Sequence, residues 1–179
     1  MKILCLVLAL SLGVPAAGAG EGPRGLELFN ERYELFVPRL WQVREYPLDG
    51  ELAFVSPKRS CAIHVMHENG RVFGAAERLD LIRDYQQGLR RSFGGAEDGG
   101  SQFKMSAPKA YSLNGLDGYF TDYVNFFPDG RYLSGRSLIF FGKERGSVIL
   151  DLMSFNYKTR ARCLADARKY IKTLRPKPN

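Results

Sequence analysis

The chain has 179 residues, a formal charge of +7, 45 % hydrophobic residues and 12 % aromatic residues. The length fits a single domain, and the hydrophobic content excludes a chain that is disordered throughout. The positive charge favours anionic partners such as lipid headgroups, cell-wall polymers or an acidic protein face.

The first residues have the pattern of a secretory signal peptide. Lys2 precedes an apolar run over residues 3–14, and Ala17-Gly18-Ala19 fits the small-x-small cleavage rule. The run is shorter than the roughly 20 residues of a membrane span; an uncleaved anchor is the alternative. We therefore predict a signal peptide at 1–19, a periplasmic or secreted protein, and no nucleic-acid partner. Residues 20–27 are expected to be a loose leader, and a single domain is predicted at 28–176.

Cys61 and Cys163 remain after cleavage. An oxidising compartment permits a disulfide between them, but spacing alone does not show that they approach each other. The sequence is compatible with two alternatives, a disulfide between Cys61 and Cys163 or two buried free thiols.

The first half of the domain alternates between apolar and polar residues and then changes to a helical period. Period-two patterns predict strands at 33–38, 50–57 and 61–68. In residues 74–94, the apolar residues Leu79, Ile82, Leu89 and Phe93 recur at helical spacing, which predicts a helix.

The second half is predicted to be mostly strand, followed by a C-terminal helix. Strands at 116–127, 131–141 and 147–156 are separated by turn signals such as Pro128-Asp129-Gly130. The strands at 131–141 and 147–155 are apolar on both sides, so the sheet needs cover on both faces. The predicted class is α+β: an antiparallel sheet of about six or seven strands covered by helices, an α-β-α sandwich.

This element order resembles the PsbP-like superfamily, which includes photosystem II subunit P-like proteins and DcrB-like bacterial domains. The resemblance covers roughly residues 30–175 and rests on the order of elements, a Pro-x-x-Trp segment (Pro38, Trp41) and the closing helix. It implies an α-β-α sandwich that binds or assists other proteins, usually without catalysis. The chain lacks a lipobox cysteine and in this respect differs from the lipoproteins of the superfamily.

Both histidines lie in the strand at 61–68, where they are three positions apart. Side chains alternate along a strand, so His64 and His67 are expected on opposite faces and cannot chelate one ion. The sequence also lacks a Gly-x-Ser-x-Gly nucleophile motif. We predict no catalytic residue, no metal site and no cofactor.

Two surfaces are candidates for partner binding. Tyr119 and Tyr123 lie on one side of a strand and suit either a half-exposed sheet face or a binding groove. The basic residues Arg160, Arg168, Lys169 and Lys172 are expected on the exposed side of the last helix, as a solvated face or as a contact for an acidic protein or a peripheral membrane contact. Asp122 is expected to pair with Arg136 on the next strand.

The functional prediction is an exported, non-enzymatic binding or accessory protein of the bacterial cell envelope that engages a protein or anionic partner. The alternative is a periplasmic carrier of a small apolar ligand or lipid. A carrier would use a pocket between sheet and helix lined by aromatic residues such as Phe103, Phe126 and Phe140.

Overall fold

A computed structural model describes residues 23–29, 32–45, 51–56, 60–68, 73–93, 102–142 and 146–177. The predicted signal peptide at 1–19 lies outside the described residues. The elements in chain order are β1 (Pro23–Leu28), β2 (Tyr33–Pro38), β3 (Gln42–Glu45), β4 (Leu52–Ser56), β5 (Cys61–Glu68), α1 (Ala75–Phe93), β6 (Gln102–Met105), β7 (Lys109–Leu113), β8 (Leu116–Phe126), β9 (Tyr132–Phe141), β10 (Ser147–Ser154), α2 (Arg160–Ile171) and β11 (Arg175–Pro176).

Within the described residues, the main sheet has eight antiparallel strands in the order β3-β4-β5-β10-β9-β8-β6, with β7 also paired to β8. Local turn chemistry sets its hairpins. Asn114 and Gly115, with φ of 48° and 79°, join β7 to β8 in the left-handed conformation that tight hairpins need. Gly130, with φ of 82°, closes the turn between β8 and β9. The predicted fold class is confirmed, with one or two more strands in this sheet than expected.

A second, three-stranded sheet has the order β1-β2-β11. Residues 23–27, expected to be a loose leader, belong to β1, which pairs with β2 from Pro23 opposite Pro38 to Leu28 opposite Tyr33. Pro23 and Gly25 disfavour a strand in the sequence pattern. Burial of Leu28 and the ladder to β2 override that local preference.

The main sheet separates two apolar cores. The odd-numbered side chains of β8, β9 and β10 point toward α1, and we call this side the α1 face; the even-numbered ones form the α2 face. On the α2 face, α2 and the small sheet share the cover, and Trp41 packs there beside Tyr170. The backbone N–H of Trp41 donates to the Pro38 carbonyl at 3.0 Å, so the Pro-x-x-Trp segment is a turn with a buried anchor.

Helix α1 buries the stripe formed by Leu81, Ile82, Tyr85 and Leu89. The Glu77 carboxylate accepts a hydrogen bond from Gly74 N–H at 2.9 Å and caps the first turn. Leu79, expected in the apolar stripe, is instead 51 % exposed. At 3.6 residues per turn it lies about 120° around the helix from Tyr85 and therefore misses the sheet.

Helix α2 is bonded to the sheet. Cys163 on α2 and Cys61 on β5 form a disulfide with a Cα–Cα distance of 5.7 Å. Both cysteines are buried in the α2-face core. The bond fixes the helix over the centre of the sheet, and among the described residues α2 packs mainly on β5 and β10.

Candidate binding surface

The two histidines of β5 lie on opposite faces of the sheet, as the strand period predicts. His64 is paired in register with Asp151 on the α1 face, and its Nε2 lies 3.3 Å from a Glu51 carboxylate oxygen. His67 stacks on Phe29 with ring centroids 4.4 Å apart, on the side of the small sheet. The two imidazoles therefore cannot coordinate the same metal ion.

A polar row crosses the α1 face beneath α1. His64, Asp151, Ser137 and Thr121 are successive cross-strand partners on β5, β10, β9 and β8. The Ser137 and Tyr85 hydroxyls both donate to the Asp151 carboxylate. Gln86 Nε2 of α1 donates to the Thr121 hydroxyl at 3.0 Å. These bonds satisfy polar groups that would otherwise be costly to bury.

Burial dominates the electrostatics of this row. Desolvation raises the pKa of the Asp151 carboxyl, and the hydrogen bonds from Ser137 and Tyr85 oppose that shift. Desolvation, with the nearby Asp151 charge, also raises the pKa of Tyr85 and Tyr123 well above the usual tyrosine value. These shifts follow from a closed interior and do not require a catalytic role.

Serine, histidine and aspartate occur together here, but their arrangement differs from that of a nucleophilic site. Ser137 donates to Asp151 rather than to an imidazole, and it is 2 % exposed. Its hydroxyl is therefore buried and already bonded to a carboxylate. Within the described residues, no group of three or more His, Cys, Asp or Glu side chains is placed to hold a metal ion.

The tyrosine strand side that was predicted to bind a partner lies under α1. Tyr123 is 3 % exposed and stacks on Phe93 with ring centroids 6.2 Å apart. Tyr119 is half-buried and packs against the same core. The prediction of a partner surface at Tyr123 is therefore corrected, because α1 covers the odd-numbered side chains of β8.

The far end of the α2 face carries a group of partly exposed side chains that we call the aromatic cluster: the rings of Phe126, Tyr132 and Tyr157 and the guanidinium of Arg160. Tyr132 lies 5.2 Å from both Phe126 and Tyr157, measured between ring centroids. The Arg160 guanidinium carbon lies 3.8 Å from the centre of the Tyr157 ring. Phe126 is 45 % exposed and Tyr157 is 52 % exposed.

Asp122 and Arg136 form the predicted ion pair between the aromatic cluster and the middle of β8. Arg136 Nε donates to one Asp122 carboxylate oxygen at 2.6 Å, and Nη2 donates to the other at 2.8 Å. The guanidinium carbon also lies 4.2 Å from the centre of the Phe120 ring. The bidentate bond and the ring together fix the arginine in one orientation.

Beyond this pair, α2 and the sheet enclose a recess of about 50 Å³ that we call the cationic cleft. Tyr111 and Phe120 line it, with Leu138, Leu152 and Ile171, and Arg136, Arg168 and Lys172 supply its charges. Arg168 and Lys172 are therefore placed at a concavity. Lys169, in contrast, is exposed and pairs with Asp166 at 3.3 Å.

The pocket expected for a carrier does not form from the predicted residues. Phe140 is fully buried in the α2-face core, Phe103 packs in the α1-face core, and Phe126 is exposed. The strand period explains this result, because Phe103 and Phe140 lie on opposite faces of the sheet. The aromatic cluster was missed at the sequence level; the pairing of Phe126 with Tyr132 across the predicted Pro128-Asp129-Gly130 turn is the signal that points to it.

Comparison with known proteins finds likeness in structure. No family model matches the chain, and no curated protein matches it. The solution structure of cyanobacterial PsbP (CyanoP) from Synechocystis sp. PCC 6803 is similar with a TM-score of 0.66 at 12 % identity, covering 93 % of this chain and 99 % of that one. LpqN, involved in cell envelope biogenesis of Mycobacterium tuberculosis, gives a TM-score of 0.56 at 13 % identity over 88 % and 91 % of the two chains.

A crystal structure from Bacteroides thetaiotaomicron gives a TM-score of 0.58 at 12 % identity, and the match covers 87 % of this chain and 48 % of that chain. At these identities the likeness concerns the arrangement of helices and strands. The described residues form a sandwich with one helix on each face of the main sheet, which agrees with what the resemblance implied. The chain therefore has a PsbP-like fold.

Proposed function

We propose that the chain is an exported, non-enzymatic accessory protein of the bacterial cell envelope that binds a protein partner through its α2 face. The signal-peptide pattern at residues 1–19 supports export. A fold shared with LpqN, a protein described as involved in cell envelope biogenesis, supports the same compartment. The closed polar row on the α1 face supports a role without catalysis.

The aromatic cluster is the observation that carries the proposal. Tyrosine and arginine are enriched among the residues that contribute most to protein–protein binding. Here Tyr157 and Phe126 are about half exposed although the same sheet buries other aromatic rings completely. Exposed aromatic side chains that contact one another and an arginine are typical of an interaction surface.

A carrier function is less well supported by the dimensions of the cleft. Pockets for small organic ligands usually measure about 300–1,000 Å³. The cationic cleft measures about 50 Å³, which suits a single functional group of a larger partner.

Site-specific photo-crosslinking in cells tests the proposal. A photoreactive amino acid is placed at Tyr157 in the full chain, and the matched control position is Leu79 on α1. The two side chains are 52 % and 51 % exposed, so their accessibility is the same. A discrete crosslinked protein at Tyr157 that is absent at Leu79 supports the proposal. Equal crosslinking at both positions, or none at Tyr157, contradicts it.

Export is tested separately from binding. Fractionation of cells that produce the full chain should place it outside the cytoplasm, and the mass of the purified protein should correspond to a chain that begins near residue 20. A cytoplasmic protein of full mass would contradict export. The crosslinking experiment would still test partner binding independently.

A further inference from the structure

We infer, on the basis of the proposed function, that the partner presents an acidic peptide segment whose carboxylate enters the cationic cleft. The apolar residues of the same segment would then lie on the aromatic cluster. The inference names the chemistry of the partner and the path that its segment follows across the α2 face.

The charges of the cleft carry the first step. Arg136 is already neutralised by its bidentate pair with Asp122. Arg168 and Lys172 are exposed, and neither has an acidic partner within the part of the chain that the structure describes. Two unneutralised cations at one concavity attract an anionic group and repel a cationic one.

The strand register adds further positive charge to the same face. Lys104 is opposite Val124 and Lys109 is opposite Phe120, so both lysines share the α2 face with those residues. Both are exposed. The carboxylate on this part of the face, Asp122, is held by Arg136. Cations therefore flank the open surface of β8, and the face complements an acidic segment.

The shape of the cleft limits what can enter. Its volume of about 50 Å³ is a few times the roughly 10–15 Å³ that a cavity needs to hold one water molecule. A carboxylate group fits this space, whereas a whole organic ligand does not. Tyr111 and Phe120 meet edge to face with centroids 6.1 Å apart, so two aromatic rings line part of the recess that the carboxylate would enter. Lower polarity strengthens an ion pair relative to one in water.

The spacing defines the length of the segment. Phe120 lines the cleft and Phe126 belongs to the aromatic cluster, six positions along β8. At about 3.3 Å per residue this separation is about 20 Å. An extended peptide of about six or seven residues covers the same distance. The expected segment has an acidic residue at one end and a large apolar residue at the other.

A protein segment suits this geometry better than a bilayer surface does. A flat anionic membrane is contacted by cations that protrude, such as Arg162 on the outer side of α2. Arg168 and Lys172 instead border a recess between α2 and the sheet. One acidic side chain of an extended peptide can enter such a recess while the rest of the peptide follows β8, and a flat surface cannot enter it.

Fluorescence anisotropy with defined peptides tests the inference on the full mature chain. The probe is a labelled eight-residue peptide with two glutamates at one end and two leucines at the other. Its analogue has glutamine in place of both glutamates. We expect saturable binding of the acidic probe that is at least about tenfold tighter than that of the analogue, and weaker in 0.5 M salt than in 0.05 M salt because exposed ion pairs are screened.

Charge-reversal variants assign the binding to the cleft. Arg168→Glu with Lys172→Glu should weaken binding of the acidic probe by about tenfold or more. The matched control, Lys158→Glu with Arg162→Glu, has the same net charge and changes exposed side chains that do not line the cleft. Equal binding by the two variants, or no preference for the acidic probe over its analogue, overturns the inference.

Two further outcomes separate this inference from the proposed function. If the wild-type chain binds vesicles of anionic lipid and not the acidic peptide, the occupant is a membrane and the inference is wrong. If the crosslink at Tyr157 persists unchanged in the Arg168→Glu, Lys172→Glu variant, the accessory function stands and the acidic segment is excluded. Loss of that crosslink in the cleft variant alone supports both.

Discussion

The two faces of the main sheet differ in what they bury, although the same strands form both. The α1 face holds tyrosine, threonine, asparagine and aspartate side chains, and α1 closes over them. The α2 face is mostly apolar, yet Phe126 and Tyr157 of the aromatic cluster are about half exposed on it. The exposure of a strand side therefore depends on the element above it, and the polarity of its residues alone does not determine it.

Helix length and position account for the difference. Helix α1 has 19 residues and α2 has 12, which correspond to about 28 Å and 18 Å of axis. The disulfide between Cys61 and Cys163 fixes α2 over β5 and β10. The shorter helix cannot also cover β8. The cationic cleft lies where the edge of α2 meets Phe120 of β8, and the aromatic cluster lies farther along β8 at Phe126.

Loss of the disulfide should have the largest effect on stability, because the bond holds α2 against the α2 face of the sheet. Replacing Cys61 and Cys163 together by alanine removes a link across 102 positions, and we expect a loss of about 2–5 kcal/mol in the free energy of unfolding. Urea unfolding followed by circular dichroism measures it. The wild-type protein with a reductant should approach the same value, and an unchanged midpoint in both cases would contradict a structural role for the bond.

The close packing of the Tyr123 ring against Gly135 on the α1 face should be the feature whose loss has the next largest effect on stability. A Cβ atom at Gly135 would lie 2.3 Å from Tyr123 Cζ and 2.6 Å from the Leu152 carbonyl oxygen. Gly135→Ala should therefore destabilise the protein by about 2 kcal/mol or more, since a packed core tolerates added volume poorly. Thermal or urea unfolding gives the change.

A double-mutant cycle identifies the ring as the cause. If Tyr123 blocks the new methyl group, Gly135→Ala should cost about 1 kcal/mol less in a Tyr123→Ala background than in the wild type. Strictly additive effects would mean that the Leu152 carbonyl, and not the ring, sets the cost.

The Asp151 carboxyl should make stability depend on pH through the α1 face. Burial raises the pKa of Asp151 in the folded protein, so the folded state holds this proton more tightly than the unfolded chain does. The stability that this proton contributes is present below about pH 4 and is lost as the pH rises through the raised value. The free energy of unfolding of the wild type, minus that of Asp151→Asn, should fall between pH 4 and pH 7. A difference that stays constant over this range would show that the carboxyl titrates alike in both states.

The sequence predicts the framework of the fold well because local signals determine it. The strand period places His64 and His67 on opposite faces, the Asn-Gly and Asp-Gly turns define the hairpins, and the charge pattern identifies the Asp122–Arg136 pair. Each of these results depends on residues close in sequence or on adjacent strands.

The binding surface could not be predicted in the same way because it depends on which strand each helix covers. The positions of Tyr119 and Tyr123 on one side of β8 are compatible with a solvent-exposed face or with a helix packed over them. Helix α1 is separated from β8 in the sequence by two other strands, so local patterns do not show that it packs there. Tyr157 precedes α2 and reaches Phe126 and Tyr132 only after α2 has packed on the sheet. Contacts of this kind follow from tertiary packing, which periodicity does not encode.

The smallest effect on stability is expected at the aromatic cluster, and it separates a binding surface from a core most directly. Tyr157 is 52 % exposed and its contacts are with other partly exposed side chains, so Tyr157→Ala should change the free energy of unfolding by less than about 1 kcal/mol. Leu79→Ala, at an equally exposed position on α1, is the matched control for stability. The same Tyr157 variant should bind the acidic peptide probe more weakly than the Leu79 variant does, because only Tyr157 lies on the α2 face. A loss of more than about 2 kcal/mol at Tyr157 would instead place this ring in the structural core and remove the reason to regard its exposure as functional.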